Sequence, residues 1–151
     1  MRQSEDKELA SKNIPLQLDF RSGIPIYVQI MDQIRQMVAS GDLKQGDQLP
    51  TVRQLATDLR INWNTVARAY KLLDEAGLIS TQQGRGTYIW EEPTEETMKQ
   101  LKKKSLEELA RTYLNETHRL GYSLEDAIEE LKHIQTTGTQ TGVENQENKE
   151  L

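Results

Sequence analysis

Apolar residues recur at helical spacing through "IPIYVQIMDQIRQMVASG", where Ile26, Ile30, Ile34, Met37 and Val38 share one stripe. Pro25 suits the first turn of that helix and Gly41 the position just past its end. Upstream, "PLQLDF" alternates apolar and polar residues, which predicts a short strand. Downstream, "GDLKQGDQLP" reads as a connector, with a turn at Gly46-Asp47 and with Leu43 and Leu49 pinning the loop to a core.

A second helix is announced by Thr51-Val-Arg-Gln54, a capping box in which the threonine hydroxyl and the glutamine side chain satisfy each other's backbone amides. Val52, Leu55, Ala56 and Leu59 form its buried face. Only Arg60 to Asn62 separate it from a third helix, predicted over 63–76. There Asn62 is the cap, and Ile61 with Val66 forms a hydrophobic staple. The stripe of that helix is Val66, Ala69, Tyr70, Leu73 and Ala76, and Gly77 stops it. Ala56 and Ala69 are small enough to let the two helices approach across a tight turn.

"LISTQQGRGTYIW" then reads as a β-hairpin turning at 83–86. Helix, helix, tight turn, helix and hairpin make a winged helix-turn-helix, placed at 14–92. Beyond Pro93, apolar positions at Met98, Leu101, Leu106, Leu109, Tyr113, Leu114 and Leu120 predict one helix. Leu124, Ala127, Ile128, Leu131 and Ile134 predict another after Gly121. This two-helix hairpin, 93–134, has too little apolar surface to stand alone. It is expected to dimerise through Leu101, Leu109, Tyr113, Leu120, Leu124, Ile128 and Leu131. The fold class is therefore mainly α with a small β-hairpin. Polar ends at 1–13 and 135–151 are expected to be disordered.

Charge refines this picture. The chain carries −5 overall, but residues 20–90 hold eight Lys or Arg against six acids, and residues 91–151 hold eight against fourteen. A mildly basic domain thus precedes an acidic one, which leaves a polyanionic partner open. The outward face of the third helix carries Trp63, Asn64, Ala67, Arg68 and Lys71, with no acid before Asp74. Such a face suits the major groove, where asparagine can read adenine and arginine can read guanine or phosphate. Thr51 and Arg53 at the start of the second helix are further candidate contacts. So is Arg85, flanked by Gly84 and Gly86 at a hairpin tip that could enter a minor groove. Asn62 is accounted for by capping alone.

From about Ile24 to Ile89 the chain resembles the GntR family of bacterial transcription regulators. The resemblance is carried by "PIYVQIMDQIRQMVASGDLKQGDQLPTVRQLATDL", "NTVARAYKLLDEAGLI" and "GRGTY". The short tail is similar to the YtrA-type subfamily, which dimerises through two C-terminal helices. The resemblance implies a homodimeric repressor on an inverted-repeat operator, often of an ABC transporter operon. It implies DNA contacts at Arg53, Asn64, Thr65, Arg68 and Gly84-Arg85-Gly86. Trp63 departs from the pattern, since this subfamily commonly has proline there.

Other classes are weaker. The same elements fit a winged-helix protein-interaction module without DNA readout, with the acidic hairpin as its surface. His118 and His133, with Glu129 one turn before the latter, are too sparse for a metal or catalytic site. No enzyme activity, metal or cofactor is expected, and the length leaves no room for a pyridoxal phosphate domain. A small-molecule effector has room only between hairpin and winged domain, with no residues that identify it. Without cysteine, signal-like core or an apolar run of about 20 residues, a cytoplasmic protein without membrane contact is expected.

Overall fold

A computed structural model describes residues 11–90 and 94–143, with 139–143 as backbone only. The elements are α1 Ile26–Ser40, β1 Gln48–Leu49, α2 Val52–Leu59, α3 Trp63–Glu75, β2 Ile79–Gln82, β3 Gly86–Ile89, α4 Glu95–Arg119 and α5 Leu124–Val143. They fall into two compact units, Met1–Leu109 and Ala110–Leu151, so α4 begins in the first and ends in the second. Among the described residues no helix is long and apolar enough to cross a membrane.

The first unit is a winged helix-turn-helix, as the sequence predicts. Its core joins Ile30, Met31 and Ile34 of α1, Leu55 and Ala56 of α2, and Val66, Ala69, Tyr70 and Leu73 of α3 to Leu49, Leu78, Ile79 and Ile89 around the sheet. Helix α1 stops at Gly41, whose φ of 85° only glycine adopts cheaply. Helix α2 starts with both halves of the Thr51–Gln54 capping box in place, a feature worth about 1 kcal/mol. Ala56 and Ala69 are both buried, as close helix packing requires. The Tyr70 phenol donates to the Pro50 carbonyl at 2.7 Å, and burial pushes its pKa up.

Two local predictions change. "PLQLDF" is not a strand, although Leu16 and Leu18 do pack against the core beside the buried Ile14; Phe20 at its end is 69% exposed. Its backbone is satisfied by glutamine side chains of α1. Gln33 pairs with both the N–H and the C=O of Gln17, and Gln29 does the same for Asp19. Four helical residues rise about 6 Å and two extended residues about 6.6 Å, so the two glutamines match the chain beside them. The connector, in turn, contains a strand. Gln48 and Leu49 of β1 pair antiparallel with Tyr88 and Thr87, making the sheet three-stranded in the order β1-β3-β2.

Termini and tail also differ from expectation. Lys12, placed in the disordered segment, donates its amide to Gln48 O at 2.8 Å and pairs with Asp47 at 2.9 Å. That lysine and the Lys44 amide hold the Asp47 carboxyl below its usual range, the backbone bond contributing most. Residues 1–10 and 144–151 lie outside the described residues. Helix α5 runs to Val143, nine residues past the predicted end at 134. No helix-stopping proline follows Ile134, and Gly138 is absorbed within the helix.

Helix α4 is anchored in the first unit. Leu101, expected at a dimer interface, is only 1% exposed and belongs to the core of its own unit, with Met98 and Leu109 packed against it. Glu108, seven residues on and therefore on the same face, is 4% exposed. Its carboxylate accepts from the Tyr27 hydroxyl at 2.7 Å and from the Arg68 guanidinium at 3.1 Å. Lys104 lies 3.6 Å from its other oxygen. The Tyr27 hydrogen bond, then Arg68 and Lys104, hold the pKa below the usual glutamate range against the opposing effect of burial.

A depressed carboxyl pKa stabilises the fold above the ordinary glutamate value, and that stability is lost as pH falls through the lower folded value. Glu108→Ala is expected to cost about 1–3 kcal/mol at neutral pH by removing the acceptor of the buried Tyr27 hydroxyl. Urea unfolding of the wild type and Glu108→Gln across the acid range checks the origin of this cost. The gap between the two should be present at neutral pH and close on acidification; a pH-independent gap rules out the carboxylate.

Candidate nucleic-acid interface

The geometry of the site starts with Asn62. Its side chain accepts from the Asn64 amide at 2.8 Å, which begins α3 at Trp63. The buried stripe then adds Leu72 to the predicted residues and turns the opposite face to solvent. Trp63 is 59% exposed, Asn64 and Lys71 are exposed, and Thr65 and Ala67 are half-buried. Lys71 lies 3.9 Å from Glu75, one turn on, in a long pair between exposed side chains.

Arg68 occupies the predicted face but is not a free cation. Its guanidinium lies 4.1 Å over the Tyr27 ring centroid and donates to Glu108, while its side chain stays 53% exposed. Charge on this face is therefore partly neutralised by α4. Sequence reasoning did not find Glu108 or Tyr27. The available signal was an acid seven residues after Leu101, on the same helix face.

Arg53 and Arg85 are exposed, and among the described residues neither has a carboxylate within ion-pair distance. Arg53 follows Thr51, whose hydroxyl accepts from the Gln54 amide and can still donate outward. Arg85 sits at the tip of the β2–β3 hairpin, where its amide donates to Gln82 O at 3.0 Å. Gly84 takes the left-handed conformation in this turn, with φ 76°. Gly86, at φ 118°, takes a conformation that L side chains rarely adopt, and a Cβ there would have to push aside the Gln48 side-chain nitrogen, 2.6 Å away. Two further residues steady the tip. The Tyr88 hydroxyl donates to Arg85 O at 2.7 Å and the Gln48 side chain approaches the same carbonyl at 3.5 Å. Gln48 was invisible as a wing residue because a two-residue strand leaves no periodic pattern.

An open hollow of about 670 Å³ adjoins this surface, lined by Arg53, Ala56, Thr57, Arg60, Ile61 and Trp63. The second unit has a hollow of its own, about 690 Å³, whose lining includes Tyr113, Tyr122, Asp126 and His133. Space for a small molecule thus exists within the helical hairpin, where the sequence suggested none. Among the described residues, no three His, Cys, Asp or Glu side chains gather in a way that could hold a metal.

Residues 26–89 match the family of bacterial regulatory proteins described as the gntR family. The chain is 41% identical over 119 residues to the HTH-type transcriptional repressor YtrA of Bacillus subtilis strain 168, covering 79% of this chain and 91% of that one. It is 35% identical over 113 residues to the HTH-type transcriptional regulator YhcF of the same organism, covering 75% and 92%. Among solved structures, it is similar to a transcriptional antiterminator from Listeria monocytogenes, with a TM-score of 0.55, 26% identity, and coverage of 83% and 92%. The matched segment spans the capped helix pair and the wing, and the long alignments extend into the tail helices: this chain belongs to the GntR family of bacterial transcription regulators, in its YtrA-type subfamily.

Proposed function

We propose that the protein is a dimeric, sequence-specific repressor that reads an inverted-repeat operator with α3 in the major groove and the β2–β3 wing in the minor groove. The observation that carries this reading is the first turn of α3. Trp63 and Asn64 stand exposed there at a helix start that capping by Asn62 already satisfies, so folding gives them no role. Asn64 supplies paired donor and acceptor for an adenine edge. Trp63, where relatives of this type commonly carry proline, offers an apolar surface for a thymine methyl or a sugar. Thr51, Thr65 and Lys71 add contacts at the edge of the groove. Arg53 and Arg85 supply charge for phosphates or for the narrow minor groove.

Dimerisation is assigned to the second unit. Leu120, Leu124, Ile128, Leu131 and Ile134 are each more than two-fifths exposed. Leu124, Ile128 and Leu131 follow at four- and three-residue spacing and share a stripe of α5. Tyr113 is half-buried and spends its hydroxyl on Ala127 O at 3.0 Å, closing the hairpin itself. Leu101 and Leu109 face their own unit and are left out of the interface.

The direct test is a footprint and titration on duplexes tiling the region upstream of its own gene. Arg85→Ala should lower affinity about tenfold and reduce the log–log salt slope by about 0.9, the value of one phosphate contact. Arg68→Ala should reduce the slope less, because Glu108 already serves as its counter-ion. Failure of the wild type to protect any segment, with retention of a protein partner that is insensitive to salt, replaces this reading with an interaction module. For the dimer, Ile128→Glu with Leu131→Glu should shift the sedimentation mass to that of one chain and lower operator affinity. Unchanged mass would show that another surface joins the protomers.

A further inference from the structure

Arg60 has the only positive φ among the described non-glycine residues, 55° with ψ 45°. Seven glycines fill the other left-handed positions. The corner between α2 and α3 needs only a backbone in this conformation, since the Arg60 amide donates to Ala56 O and Thr57 O to close α2. Glycine or asparagine would do this without a strained side chain. An arginine held here against its own preference points to use of the side chain.

Its surroundings give that use a chemistry. Arg60 and Arg53 line the same hollow, together with Trp63 and the apolar Ala56 and Ile61. Among the described residues neither arginine has an acidic partner, whereas Arg35, Arg68 and Arg119 each have one. Asp58, the acid nearest in sequence, is exposed and does not line the hollow. The Thr57 hydroxyl is committed to Arg53 O at 2.8 Å, which leaves two guanidinium groups and an indole N–H as donors. Two exposed cations on one open hollow raise the local positive potential, which suits an anion with several acceptor oxygens. The hollow reaches Trp63, so it is continuous with the exposed turn of α3.

We infer that Arg60 and Arg53 form an anion site that grips a phosphodiester of the DNA backbone, fixing the register of α3 on the duplex. This rests on the DNA-reading function proposed above. Arg60→Gly separates the side chain from the fold, because glycine is at ease in this backbone conformation. The variant should melt at or above the wild-type temperature. It should bind the protected duplex about tenfold more weakly, with a salt slope lower by about 0.9. Arg60→Lys should keep most of the slope. Wild-type affinity and slope in Arg60→Gly would overturn the assignment and reduce Arg60 to a strained cap. Inorganic phosphate, compared with chloride at matched ionic strength, tests a free anion as the occupant. If phosphate raises the melting temperature of the wild type only, while Arg60→Gly binds DNA normally, the hollow serves a free anion and the backbone assignment is wrong. If the wild type binds no duplex at low salt, the regulatory reading falls first. The anion site then fails too unless phosphate stabilises the wild type and not Arg60→Gly.

Discussion

One hydrogen bond sets the frame for the rest: the Asn62 side chain on the Asn64 amide. It decides that α3 begins at Trp63. Because Val66, Ala69, Tyr70 and Leu73 must be buried, the helical period then decides which residues remain outside. A start one residue later would leave the stripe in place but remove Trp63 from the helix and change the direction of its side chain. The exposed turn is thus fixed jointly by a polar cap and an apolar stripe, and neither alone suffices.

Around that turn the arginines divide into two kinds. Arg35 and Arg68 have acidic partners within the first unit, and Arg68 is further held over the Tyr27 ring. Arg53, Arg60 and Arg85 have none among the described residues. Pairing with Glu108 costs Arg68 some of its attraction for a polyanion but gives it a defined direction, since its guanidinium is placed before any ligand arrives. The residues without partners keep their full charge and the freedom to follow a backbone. A guanidinium direction set in advance and an undiminished charge thus belong to different side chains.

How much of this was legible depended on how local the signal was. The capping box, the Asn62 cap and the stops at Gly41 and Gly77 were all readable, because each rests on residues within a turn of one another. So was the wing, whose glycines announce it. What was missed depended on partners distant in sequence. The alternation in "PLQLDF" marks Leu16 and Leu18 correctly as inward but fails at Phe20, which is exposed. However, the groups that satisfy its backbone are Gln29 and Gln33 side chains of α1, which no strand rule anticipates. Strand β1 is two residues long and exists only because β3 lies beside it. Leu101 was placed on the correct apolar stripe but assigned to the wrong partner, since periodicity says that a face is covered and not by what. The strain at Arg60 is a backbone angle and leaves no trace in composition.

The acidic total of −5 and the limited number of free arginines bear together on assembly. Arg53, Arg60 and Arg85, at about 0.9 in salt slope each, would give a single protomer only a modest hold on a duplex at physiological salt. A reader with so few charges gains affinity by joining two sites rather than by adding cations. In the proposed dimer, once one protomer is bound, the second would meet its half-site at high effective concentration. The apolar residues exposed on α5 offer the means of joining them, and the first turn of α3 then has to supply discrimination rather than bulk attraction. On the proposed dimeric reading, the sparse basic charge and the exposed apolar residues of α5 are two sides of one arrangement: weak attraction for any DNA, made sufficient only where two half-sites are presented at once.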